Sequence, residues 1–231
     1  MRVAFLQHDP GSAPGLLGEA LVDRGFELDL VPMASSIDHP HFDGEFPAVG
    51  DHDLVIPLGA IWSVYDVALD SWIDRELALL RDLDRAGVPV LGVCFGGQAL
   101  AAAHGGEVRH MGSNDIGWTL IDSNDEARLA AGPWMQWHGD HFTAPDDATV
   151  LATTDRGVQA FTLRANLGLQ FHPEATVEIL TTWLDWGGEG VAIESGTSRT
   201  QLVTDAADNR DRARRDIDAL LDWWLPSVGL G

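Results

Sequence analysis

The chain contains no lysine; all 14 of its basic residues are arginine. Schiff-base chemistry through a lysine and a phosphate-binding loop built around one are thereby excluded. Basic charge is scarce altogether, with 14 Arg against 36 Asp and Glu and a formal net charge of -22. Such a surface repels nucleic-acid phosphates and anionic bilayers, so neither nucleic acid nor membrane is expected as a partner. The single cysteine, Cys94, cannot close an intrachain disulfide, and its thiol is expected to be reduced. Reactivity or packing must account for it. No apolar run approaches the ~18 residues needed to span a bilayer. The opening stretch Met1–Leu6 meets Gln7, His8 and Asp9 too early for a secretory leader. These features point to a cytoplasmic chain.

With 231 residues and 45% apolar content, a substantial core can form, and one domain spanning 1–231 is the expectation. Val3–Gln7, Glu27–Val31, Asp53–Leu58 and Pro89–Val93 read as buried strands. Helical periodicity occupies Gly15–Arg24, Asp70–Arg85 and Gly97–His104 between and after them. This alternation predicts an α/β fold, a three-layer arrangement with a mostly parallel central sheet and helices on both faces. Beyond residue 106 strand-like pieces follow at 107–111, 118–121, 135–138, 150–154, 158–163 and 167–171, suited to mixed or antiparallel additions. Helices are expected near Val177–Trp186 and over Arg210–Leu225. The Gly-, Ser- and Thr-rich stretch 187–209 between them predicts a mobile surface loop or partner-facing flap.

Gly92-Val93-Cys94-Phe95-Gly96-Gly97 places the cysteine between an apolar strand and a helix, with glycines two residues before and after it. A nucleophile in a strained strand-to-helix turn needs small flanking residues, because side chains there would collide with the neighbouring strand and helix. The helix N-terminus favours a thiolate. A lone cysteine can also be a small buried hydrophobe, but the glycine frame favours the nucleophile. A base is offered by Phe171-His172-Pro173-Glu174. Pro173 keeps His172 out of helical conformation, and Glu174, two residues on in extended chain, can lie beside the imidazole and fix its tautomer. Taken without Cys94, a hydrogen-bonded core residue is the plainer reading of an isolated histidine, and His-Pro also serves in turns.

Taken together, residues 92–98 and 171–174 resemble the class I, triad-type glutamine amidotransferases, especially the glutaminase domain of GMP synthase, over about residues 50–185. Two further stretches fit in the same order: residues 57–66 resemble the family's oxyanion loop, and Trp137-His138-Gly139-Asp140 its glutamine-site loop. The resemblance implies a flavodoxin-like fold with Cys94, His172 and Glu174 as a Cys-His-Glu triad. It implies attack by Cys94 on the side-chain amide of glutamine, with the oxyanion held by backbone N–H groups of Gly59 and Phe95. His172 then protonates the departing ammonia and activates water against the γ-glutamyl thioester. Gly59, Ala60, Gln98, Gly139 and Asp140 match substrate-binding positions. Ala60 departs from the pattern, since relatives usually carry a second glycine there.

No cofactor or metal is implied. His138, Asp140 and His141 are metal-compatible types, but no third and fourth ligand can be named from spacing, and a polar loop is the plainer reading. His8-Asp9 and the group His39, His41 and His52 read as solvated loop residues. Trp134 and Trp137 are candidates to wall a substrate pocket. Trp183, Trp186, Trp223 and Trp224 fall on helices and suggest core or interface packing.

The same triad serves two functions: a glutaminase supplying ammonia to a separate synthetase, or a free-standing γ-glutamyl hydrolase or peptidase. A fold that uses nearly the whole chain leaves no room for an acceptor-activating domain. A non-catalytic binding relative is a third reading, disfavoured by the intact triad.

Overall fold

The computed structural model describes all 231 residues. In chain order the elements of the first half are β1 (Arg2–Gln7), α1 (Gly15–Asp23), β2 (Glu27–Pro32), β3 (Leu54–Pro57), α2 (Ile73–Ala86), β4 (Leu91–Val93) and α3 (Phe95–Ala103). The second half holds β5 (Val108–Thr119), β6 (Asp122–Ser123), β7 (Trp134–Phe142), β8 (Thr149–Thr154), β9 (Gly157–Leu163), β10 (Asn166–Leu169), α4 (Val177–Trp183), α5 (Glu189–Glu194) and α6 (Arg199–Ser227).

β1 is apolar along its length because both of its faces are covered. Val3 and Phe5 join one core with Leu17 and Leu21 of α1 and Ile217, Leu221 and Trp224 of α6. Ala4 and Leu6 join another with Leu80 and Leu83 of α2 and Leu100 of α3. Each such leucine removed from water stabilises the fold by roughly 1.5–3 kcal/mol. Arg24 ties α1 to α6 through Asp218 at 2.7 Å and Asp222 at 2.6 Å.

β2, β1 and β3 pair in parallel. The isolated bridge Val55–Val90 links β3 to the segment leading into β4, which pairs in parallel with β10. Beyond β10 the direction alternates: β9, β8 and β6 are antiparallel, and β5 and β7 form a separate antiparallel ribbon. The fold is α/β as expected, but its pairing is mixed rather than mostly parallel. No helix intervenes between β5 and β10, and successive strands without a helical crossover pair antiparallel.

Two local expectations need correction. The pieces at 107–111 and 118–121 are one strand, β5, interrupted by an irregularity between His110 and Asp115. The stretch 187–209 is not a loop. A kink at Leu184–Gly188, non-helical at Trp186 and Gly187, leads into α5, and α6 begins at Arg199, eleven residues before the expected start at Arg210. The side chain of Ser198 caps α6 by accepting from the Gln201 N–H at 3.2 Å, a capping signal that the Gly and Thr content of the stretch obscures.

Candidate active site

Cys94 sits where β4 turns into α3, at φ 50° and ψ -105°, a left-handed conformation rare outside glycine. Such strain costs on the order of 1–3 kcal/mol and persists only where the surroundings enforce it. They do so here. A Cβ at Gly92 would overlap the Gly96 carbonyl, one at Gly96 the Pro57 carbonyl and one at Gly97 the Leu169 carbonyl. The Cys94 N–H donates to Leu169 O at 2.9 Å, fixing the turn against β10.

His172 lies three residues beyond β10, and its N–H donates to Met135 O of β7 at 2.8 Å. Its Nδ1 is 2.7 Å from Glu174 Oε1, with both residues almost fully buried, and its Nε2 is buried without a partner. A Cβ on Gly59 would stand 3.0 Å from His172 Cε1 and 3.8 Å from Cys94 Cβ, so these three residues converge on one spot. Burial alone would push the imidazole down. The Glu174 carboxylate, reinforced by Cys94, outweighs that and holds His172 well above its ordinary 6.5. The edge of Trp183 packs on His172 with ring centroids 4.8 Å apart, and its indole N–H donates to Gly11 O at 3.0 Å.

The backbone N–H groups of Gly59 and Phe95 have no protein partner, the latter because it opens α3. Ala60 is not in the left-handed region, so its departure from glycine imposes no backbone strain. The loop that carries both Gly59 and Ala60 is tied down at several points. Ile61 N–H donates to Asp9 Oδ2 at 3.0 Å, and Ser12 Oγ donates to Gly59 O at 2.8 Å. Ser63 Oγ and Tyr65 Oη donate to the two oxygens of Asp140 at 2.5 and 2.9 Å.

Cys94, Gln98, Gly139 and Asp140 line a cavity of about 320 Å³. Gln98 is buried, its Nε2 3.4 Å from Gln170 Oε1, and Gln170 Nε2 in turn lies 3.9 Å from Cys94 Sγ. Gly139 admits Asn114, whose Oδ1 would stand 2.6 Å from a Cβ there. A second cavity, of about 240 Å³, reaches His172 and shares Ala60, Ile61, Trp137 and Val191 with the first.

His138 spends both ring nitrogens inside the protein, donating from Nδ1 to Asp140 O at 2.8 Å and meeting Gln136 Oε1 at 3.0 Å. Burial pushes it down to about 4. His141 turns its Nδ1 to Arg156 O at 3.2 Å. Both histidines thus turn a ring nitrogen to a backbone carbonyl, and residues 138–141 lie in strand β7 rather than in the polar loop expected.

Several assignments change with the structure. His8, Asp9 and His52 are buried rather than solvated. Trp134 is in the core, stacked on Phe171 at 4.6 Å, while Trp137 does wall the cavities. Trp183 and Trp186 line the smaller cavity, and Trp224 is core. Sequence reasoning missed Glu76, Asp9 and Gln170. Glu76 had a signal: with Ile73, Leu80 and Leu83 it falls on the apolar stripe of α2, where an acid demands a partner.

A model of the family described as glutamine amidotransferase class-I matches residues 11–182. Among curated relatives, the proteins named GMP synthase [glutamine-hydrolyzing] of Brucella melitensis and Brucella ovis are each 37% identical over 101 residues. The match covers 38% of this chain and 20% and 19% of theirs, about one fifth of the relatives' length. Among solved structures, a glutamine amidotransferase from Thermotoga maritima superposes with a TM-score of 0.83 at 22% identity, covering 96% of each chain. One from Methylobacillus flagellatus gives 0.83 at 23% identity, covering 97% of this chain and 94% of that one. At these identities the superpositions establish a shared fold.

Proposed function

The chain belongs to the class I glutamine amidotransferase family, and from that premise we propose that it is a cysteine-dependent amidohydrolase releasing ammonia from the glutamine side chain. The observation that carries this reading is His172, held by Glu174 through Nδ1 at 2.7 Å while Nε2 stays unpaired beside Cys94. That is the orientation a thiol nucleophile requires of its base.

Cys94 Sγ attacks the amide carbon, and the free N–H groups of Gly59 and Phe95 receive the oxyanion. His172 gives its proton to the leaving nitrogen, the C–N bond breaks and a γ-glutamyl thioester remains. His172 then takes a proton from water, which displaces Cys94 and yields glutamate. Glu174 orients the imidazole throughout and favours its protonated form. Gln98, Gly139, Asp140 and the Gly59-Ala60 backbone bind the glutamyl portion. We take residues 1–231 as one three-layer domain acting in the cytoplasm. The names of the curated relatives motivate a separate synthetase as the user of the ammonia.

A second reading, a free-standing γ-glutamyl hydrolase, is favoured by the cavity at His172, which is larger than ammonia needs. Ammonia and glutamate release from glutamine, measured beside Cys94→Ala, tests the chemistry common to both. Turnover lost in the variant supports it, and equal turnover in the two proteins contradicts it.

A further inference from the structure

The cavity of about 240 Å³ at His172 is built from aromatic and aliphatic surface: Trp137, Trp183 and Trp186 with Ile37, Ile61 and Val191. It shares Ala60, Ile61, Trp137 and Val191 with the lining of the Cys94 cavity, yet only the smaller one touches His172 and only the larger one touches Cys94. The two differ in chemistry as well. Gln98, Asn114, His138 and Asp140 make the Cys94 side polar, suited to an amino acid head.

The reaction assigns the two sides to the two halves of an amide. The acyl carbon must meet Cys94, and the leaving nitrogen must meet the base that protonates it, so any substituent on that nitrogen projects toward His172. Resting on the amidohydrolase reading, we propose that this second cavity is a leaving-group subsite, and that the substrate is a γ-glutamyl amide of an amine carrying an aromatic or bulky apolar group.

Size and charge both narrow the occupant. A cavity of about 150 Å³ already accepts a benzene-sized group, so one of about 240 Å³ holds a ring with a short linker. Three indoles would also suit a cation, but the carboxylate in the wall, Asp9, is already committed. Its Oδ1 accepts from the Gly11 N–H at 2.8 Å, and its Oδ2 accepts from the Ile61 N–H at 3.0 Å. Both carboxylate oxygens thus already accept backbone hydrogen bonds, and the indole and aliphatic surface that makes up most of the wall suits a neutral ring.

The balance is that of amide hydrolysis. The γ-glutamyl C–N bond breaks as the thioester C–S bond forms, His172 supplies the proton to the departing amine, and water closes the cycle to glutamate. The test compares kcat/KM for γ-glutamylbenzylamide, γ-glutamylmethylamide, the γ-glutamyl monoamide of 1,4-diaminobutane, and glutamine. Benzylamine and ammonia are of similar basicity, so intrinsic reactivity does not favour the aromatic amide. The proposal expects the benzylamide to exceed glutamine and methylamide by at least about tenfold, and expects Trp186→Ala to shrink that ratio. Preference for the diamine amide, for glutamine, or for no amide at all overturns it. A parallel labelling of Cys94 by a glutamine-like diazoketone separates the levels. Labelling without aromatic preference rejects the subsite alone, and absence of labelling rejects the amidohydrolase reading beneath it.

Discussion

His8 and Glu76 form a fully buried pair, Nε2 to Oε1 at 3.0 Å, beneath the turn that carries the nucleophile. The imidazole stacks on Trp72 at 5.6 Å and packs against Phe95, the residue that follows Cys94, at 4.7 Å. Burial lowers His8, but Glu76 outweighs it and the net shift is upward from 6.5. Glu76→Ala leaves the histidine unpaired in the core and should cost about 3–5 kcal/mol. Because the folded-state value is raised, the stabilisation is complete below pH 6.5 and is lost as pH climbs through the higher folded-state value. Denaturant titrations of both proteins at acidic and alkaline pH should show the larger gap on the acid side. A gap independent of pH would mean that His8 is neutral in the fold.

Glu174 acts on His172 by charge as well as by orientation. Glu174→Gln should lower kcat/KM on the order of 10²–10⁴-fold. Since Glu174 is the chief group raising His172, the alkaline limb of the pH–rate profile, where the imidazolium is lost, should move to lower pH in the variant. An unchanged limb would assign that ionisation to another group.

Gly96 illustrates a purely steric requirement. Its missing Cβ makes room for the Pro57 carbonyl, and its N–H donates to Leu58 O at 3.0 Å. Gly96→Ala should destabilise the protein by about 3 kcal/mol and reduce turnover by displacing the Cys94 turn. Thermal melting alongside activity would check this, and wild-type stability would show that the β3–α3 packing can relax.

How much of this was visible in the sequence depended on range. The strand-helix alternation through residue 106 and the nucleophile turn were legible because glycine placement and apolar periodicity are local signals. The antiparallel direction of β8 and β9 fell within the mixed or antiparallel additions expected beyond residue 106, but their partners were not legible, since pairing is settled by which segments meet. Ser198 was overlooked because its cap lies in a stretch whose composition reads as loop. Glu76 and His8 are 68 residues apart, and only the fold brings them together. Trp186 looked like a helical packing residue, but the non-helical backbone at Trp186 and Gly187 turns that segment toward the cavity.

Asp140 joins the Gly59 loop to β7 through Ser63 and Tyr65. Asp140→Asn keeps the shape but weakens two charge-assisted hydrogen bonds. KM for glutamine should rise about tenfold with a smaller change in kcat. A fall in melting temperature with KM unchanged would restrict Asp140 to tying the loop.

The central claim is covalent chemistry at one sulfur. Rapid acid quenching of the protein mixed with glutamine, followed by intact-mass and peptide mass spectrometry, reads it directly. The account predicts a γ-glutamyl adduct on the peptide containing Cys94, absent from Cys94→Ala and accumulating when deacylation is slowed. Glutamine hydrolysis that proceeds at full rate in Cys94→Ala, with no adduct in either protein, would contradict it.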